Sequence, residues 1–205
     1  MKKWLIAVLA ALMFLTACSA GAVEPMSRYG DEIQNFEVTN QNNETFTRED
    51  MDGKVWLLSF IFTNCATVCP PMSQNMTAVA QELEEKGIED YGIMSFSVDP
   101  EVDTPAVLTE YASWYDIPEN TDWQFLTGYD YSFIRGFAED NFKTIVAPPP
   151  KGSNQVTHGT AFYLIDEDGT IIKDYAGVDS GDNKFPQAEV VSDVEKLVEQ
   201  KDEEK

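Results

Sequence analysis

Residues 55–62 form an apolar run bounded by Asp52-Gly53 on one side and a polar loop on the other, the pattern of a strand buried on both faces. Downstream, Met72, Met76, Val79, Ala80 and Leu83 recur at helical spacing, and this helix should end near Lys86-Gly87. A second buried strand is predicted over 92–98, then a helix over 106–115 with Val107, Leu108, Tyr111 and Trp114 on its inner face. A short strand at 123–126 closes at Gly128, and 131–142 reads as another helix. Residues 160–165 and 170–175 alternate around Glu167-Asp168-Gly169, a two-stranded hairpin signal. Pro186 opens a last helix in which Val190, Val191, Val194, Leu197 and Val198 make one apolar stripe. Ahead of all these, 36–39 and 45–47 flank a polar turn and predict an N-terminal hairpin.

Strand, helix, strand, helix, then hairpin and helix is the order of an α/β domain of the thioredoxin-like fold. Here it carries the extra N-terminal hairpin and an insertion around Pro148-Pro149-Pro150 ahead of the last hairpin. The strands at 55–62 and 92–98 would be parallel and joined by a right-handed crossover, so the loops that follow them leave the same edge of the sheet. A strand at 160–165 running antiparallel to them begins at that edge. Its beginning carries His158, the only histidine of the chain.

The N-terminus departs from this globular pattern. Lys2-Lys3 precedes an apolar stretch from Trp4 to Leu15, shorter than the roughly 20 residues a membrane-spanning helix needs. Residues 1–17 are therefore expected to be a signal peptide. Leu15-Thr16-Ala17-Cys18 resembles a bacterial lipobox, in which the cysteine receives a lipid and becomes the mature N-terminus. Residues 18–30 are small and polar and should form a flexible spacer, 31–199 the folded domain, and 200–205 a charged, frayed tail. The expected location is the outer face of the cell membrane, with one lipid anchor as tether.

Composition adds two limits. At 205 residues and 43% hydrophobic content, the chain holds one domain with a real core. Its 14 basic against 36 acidic residues, a net charge of −22, repel nucleic acid and anionic lipid surfaces. The acids are scattered along the chain and read as solvated surface, and a monomer is expected.

The chemistry lies in Cys65-Ala66-Thr67-Val68-Cys69-Pro70-Pro71, directly after the first buried strand. Pro71 suits the first turn of a helix, so the thiols sit where a strand ends and a helix begins. Backbone N–H groups and the helix dipole favour a thiolate there. With Cys18 assigned to lipid, Cys65 and Cys69 are left as partners in an oxidising compartment, sharing a disulfide or a metal ion. Met72 and Met76, one helical turn apart, read as core rather than as thioether ligands.

At this point the residues resemble a family, the SCO (SenC-like) copper proteins that assist assembly of cytochrome c oxidase. Phe60 to Pro70 is similar to the family's F-x-x-T-x-C-x-x-x-C-P, and Val98 to Pro105 to its V-D-P-x-x-D-T-P. Trp123 to Gly128 resembles its W-x-x-L-T-G, and Val156-Thr157-His158 with Tyr163-Leu164-Ile165-Asp166 its histidine-bearing strand. The chain departs from the pattern at Gly159, where a serine usually follows the histidine.

The resemblance implies one copper ion held by Cys65, Cys69 and His158, and a copper-bearing subunit of cytochrome c oxidase as partner. The donor types agree: two thiolates and an imidazole suit Cu(I) and tolerate Cu(II), whereas a hard cation needs clustered oxygens and zinc usually a fourth ligand. Asp99 either orients a ligand or supplies an oxygen to Cu(II), or simply makes the turn after its strand. Asp103, before Thr104-Pro105, reads as the N-cap of the next helix. The competing reading is an enzyme or redox sensor, a tethered thiol–disulfide oxidoreductase using Cys65 and Cys69. Such proteins commonly carry C-x-x-C and a proline before the strand facing the thiols. This chain has an extra residue between the cysteines and Thr157-His158-Gly159-Thr160 at that strand, and both differences favour metal. A peroxidase is a third reading, and its P-x-x-x-T-x-x-C pattern is missing.

Overall fold

A computed structural model describes Val23 and residues 25–203. A hairpin of β1 (Glu37–Asn40) and β2 (Thr45–Thr47) leads through a 3-10 turn to β3 (Val55–Ile61), followed by α1 (Cys69–Glu85) and β4 (Tyr91–Ser97). Then come α2 (Pro105–Ala112), β5 (Asp122–Thr127), α3 (Tyr131–Phe142), the hairpin of β6 (Ala161–Ile165) and β7 (Ile171–Ala176), and α4 (Gln187–Glu203). The strands form one mixed seven-stranded sheet in the order β2-β1-β5-β4-β3-β6-β7. Its centre, β5-β4-β3, is parallel, and β6 runs antiparallel to β3. This is the thioredoxin-like arrangement, with the β1-β2 hairpin added at the β5 side.

β3 and β4 are buried at every position, as strands covered on both faces must be. On one face, Phe60 and Phe96 meet Phe142 and Phe137 of α3. On the other, Tyr111 of α2 packs against Phe125 and shares a 2.8 Å hydrogen bond with Ser73 of α1, while α1 lies beside α4. The pairing of β3 with β4 sets Trp56 opposite Gly92, where any Cβ would run into the indole ring. Fully burying side chains of this size contributes about 1.5–3 kcal/mol each, so these two layers hold the sheet edge in place.

Four details differ from the sequence reading. The helix expected over 106–115 ends at Ala112, and Trp114, expected on its inner face, is 62% exposed. The N-cap of that helix is Thr104, whose hydroxyl accepts from Val107 N; Asp103 is not the cap and is fully buried. The end of the expected spacer is bound to the domain: Met26 N and Gly30 N donate to Ile172 O and Ile171 O of β7, and Arg28 pairs with Asp174. Finally, α4 continues through Glu203, because Lys201 buries its stem and places Nζ 2.8 Å from Asp90. Met72 and Met76 are core residues, as expected.

Candidate metal centre

Three loops meet at one end of the parallel strands. β3 ends at Ile61 and leads into Phe62-Thr63, where the chain turns back on itself, with Cys65 N donating to Phe62 O at 3.2 Å. Cys69 is the first residue of α1, and Pro70 and Pro71 fill the positions where a helix has no use for an N–H. The last loop comes from the far side of the sheet. After α3, Lys143 takes a left-handed conformation and the chain runs out to Pro150. It returns through a two-hydrogen-bond bridge between Ala147 and Thr157, delivering His158 just before β6.

Cys65, Cys69 and His158 converge: one sulfur each and an imidazole nitrogen all lie within 4.8 Å of one another. Nε2 of His158 is 3.4 Å from the Cys69 sulfur. Its Nδ1 lies 2.8 Å from the Gly159 carbonyl, which can only accept, so Nδ1 carries a proton and Nε2 is the nitrogen turned to the thiols. Phe62 braces the ring edge-on at 5.6 Å between centroids. A Cβ at Gly159 would collide with Thr144 Oγ1, so glycine after the histidine leaves room for the Thr144 hydroxyl.

The two thiols differ in kind. Cys69 is fully buried, and burial together with the neighbouring Cys65 sulfur pushes its pKa well up, so it stays a thiol. Cys65 is 8% exposed. Burial opposes its ionisation too, but contacts with His158 and Cys69 and the backbone N–H groups of Thr67 and Cys69 outweigh it and lower the pKa to about 6. Cys69 N–H, one of the donors a helix start leaves unpaired, lies 3.3 Å from the Cys65 sulfur. Both cysteines are free.

Asp99 is not in this cluster; it sits half-buried in the loop after β4, its own N–H bonded to Ser97 Oγ at 3.1 Å, and its pKa is raised by burial and by Asp103 and Glu101. Cys18 lies outside the described residues. Sequence reasoning missed the role of Asp103. Its carboxylate accepts from Thr63 N, from Thr63 Oγ1 at 2.5 Å and from Ser97 Oγ at 2.5 Å, tying the start of the thiol loop to the end of β4. The signal was present in Thr63, two residues ahead of Cys65, but a contact across 40 residues has no periodicity to show it. Gln155 was also missed: its side chain bridges Asn64 O at 3.1 Å and Ala66 N at 3.4 Å, on either side of Cys65.

Two sulfurs and one imidazole nitrogen at mutual ligand distance form a three-donor, soft-to-borderline site. It suits copper better than zinc, which prefers four ligands, or a hard cation, which needs oxygens. The fold and the site thus define a thioredoxin-like protein whose thiol edge is built to hold a soft metal ion.

Comparison with known proteins places it further. Residues 25–199 match the SCO1/SenC family model, and the chain belongs to that family. It is 42% identical over 185 residues to the SCO1 protein homolog of Bacillus subtilis strain 168, covering 90% of this chain and 92% of that protein. Among solved structures, a SCO1/SenC family lipoprotein from Bacillus anthracis superposes with a TM-score of 0.77 at 36% identity, over 86% of this chain and 99% of that one. BsSco, described as a member of the Sco family of cytochrome c oxidase assembly proteins with a disulfide switch, has a TM-score of 0.73 at 41% identity, over 85% and 98%. Copper-bound ScoI of Bradyrhizobium japonicum has a TM-score of 0.66 at 25% identity, over 82% and 99%.

Proposed function

We propose that this protein takes up one copper ion, as Cu(I) or Cu(II), between the sulfurs of Cys65 and Cys69 and Nε2 of His158. It then delivers the ion to the subunit of cytochrome c oxidase that bears the dinuclear copper site. The convergence of those three donors within 4.8 Å carries the reading. The copper-bound relative and the oxidase-assembly relative support it. Cys65 is the less buried of the two thiols and the one that ionises near neutrality, so ligand exchange with a recipient's thiolates begins there, while fully buried Cys69 keeps hold of the ion until the exchange is complete. The protein works as a monomer from the outer face of the membrane, tethered by a lipid on Cys18, and the lipoprotein relative supports that placement.

The same thiols support a second activity. The Cys65 thiolate attacks a disulfide of the recipient and Cys69 resolves the mixed disulfide, so the recipient's two cysteines leave reduced and Cys65–Cys69 is left oxidised. Reduction would then precede copper loading of the same cysteines. In cells carrying Cys65→Ser, Cys69→Ser in place of the natural chain, membranes should contain haem-loaded oxidase that lacks the absorption of the dinuclear copper centre. Oxidase with a full copper centre in those cells would refute delivery.

A further inference from the structure

Gln155 makes an unusual pair of bonds. Its Nε2 donates to Asn64 O at 3.1 Å and its Oε1 accepts from Ala66 N at 3.4 Å, so one side-chain amide satisfies the backbone groups on both sides of Cys65. A residue of a neighbouring strand would bond the chain in the same pattern, one acceptor and one donor flanking the residue bridged. The amide is itself oriented locally: Asn154 Oδ1 accepts from Nε2 at 2.8 Å, and Ser153 Oγ accepts from Gln155 N at 3.0 Å. Gln155 lies three residues before His158. Among the described residues, the hydrogen bonds joining the 148–158 segment to the thiol loop are those of Gln155 and the contacts of His158 with the two cysteines themselves.

We infer that Gln155 is a positioning residue, a clasp that holds the histidine-bearing segment against the thiol loop and so keeps His158 over the cysteines. Its consequence for copper rests on the function proposed above, but its geometry does not. Without the clasp, His158 is located by its own segment, through the Ala147–Thr157 bridge and the Gly159 carbonyl, and by contact with the Phe62 ring and the Cys69 sulfur. The site then opens without unfolding, because the two bonds lost lie at a half-buried side chain and two exposed residues outside the core.

The test uses the full chain in detergent, with Gln155→Ala and with Gln155→Met, which fills the same space but makes no amide bonds. In the reduced, metal-free chain, iodoacetamide should modify Cys65 about five to ten times faster in both variants, the effect of roughly one net hydrogen bond, with Cys69 still slow and the Tm unchanged. In the copper-loaded chain, release to the Cu(I) chelator bathocuproine disulfonate should be about tenfold faster in both. Wild-type rates in both variants would overturn the clasp. So would Gln155→Met behaving as wild type, since space filling alone would then suffice. If the natural chain binds no copper, the alkylation rates alone decide the clasp, and the failure belongs to the copper reading.

Discussion

The backbone N–H of Cys69 points at the sulfur of Cys65, 3.3 Å away, so the start of α1 serves as a donor to the thiol that precedes it by one turn. One cysteine opens the helix and the other receives its dipole. The pair is therefore asymmetric before any metal arrives.

That asymmetry predicts reactivity. In the reduced, metal-free chain, Cys65 should be alkylated at neutral pH and Cys69 should not. Cys65 has the lowered pKa of about 6 and a route to solvent, and Cys69 has neither. The rate should rise with pH through about 6 and level off above it, as the thiolate fraction saturates. Peptide mapping after a brief iodoacetamide pulse reads this directly. Equal labelling of the two cysteines would contradict it.

Asp103 should matter more than a helix cap. Removing it strands Thr63 N–H and two hydroxyls in a buried site. Asp103→Ala is expected to cost about 2–4 kcal/mol, against roughly 1 kcal/mol for losing an N-cap. Urea denaturation of the two chains, with equal m-values, distinguishes these magnitudes.

The sequence made the sheet legible because its signals are local. Burial on both faces wrote an unbroken apolar run into residues 55–62, and Glu167-Asp168-Gly169 marks its own hairpin. The convergence of Cys65, Cys69 and His158 was legible too, since topology alone sends His158 to the thiol edge. What stayed hidden depends on distant contacts. Asp103 looked like a cap because Thr104-Pro105 follows it, and only the fold brings Thr63 and Ser97 to it. Gln155 is one polar residue in a polar loop, and its partners lie about 90 positions away. Residues 25–30 resemble a linker in composition, yet backbone bonds along β7, which need no side-chain pattern, hold them. Lys201 looked like part of a solvated tail until Asp90 met it.

A pH effect should also arise at Asp193, apart from the thiols' own chemistry. Asp193 of α4 accepts from Lys173 Nζ at 2.6 Å and from Tyr175 OH at 2.9 Å. Burial alone would raise its pKa, but these partners outweigh burial and hold it below the ordinary 3.8. A depressed folded-state value means that the unfolded chain binds the proton more readily. The stabilisation is therefore fully present above 3.8 and is lost as pH falls through the lower folded value. Asp193→Asn should cost about 2 kcal/mol near pH 7, and the gap between the two chains should narrow steadily below about pH 4. Urea titrations across that range measure it, and a gap independent of pH would contradict the charge-based account.

We propose that Cys65, Cys69 and His158 form one copper site, and the decisive experiment is a copper titration of the reduced full chain in detergent. It is followed by absorption and electron paramagnetic resonance, beside Cys65→Ser, Cys69→Ser and beside His158→Ala. Tight binding of one ion with a thiolate-to-copper absorption band is expected. The double variant should lose both, and His158→Ala should weaken affinity about tenfold or more while leaving the thiols able to oxidise to a disulfide. Weak binding, or binding that survives the loss of both cysteines, would contradict it and leave Cys65 and Cys69 as a redox couple.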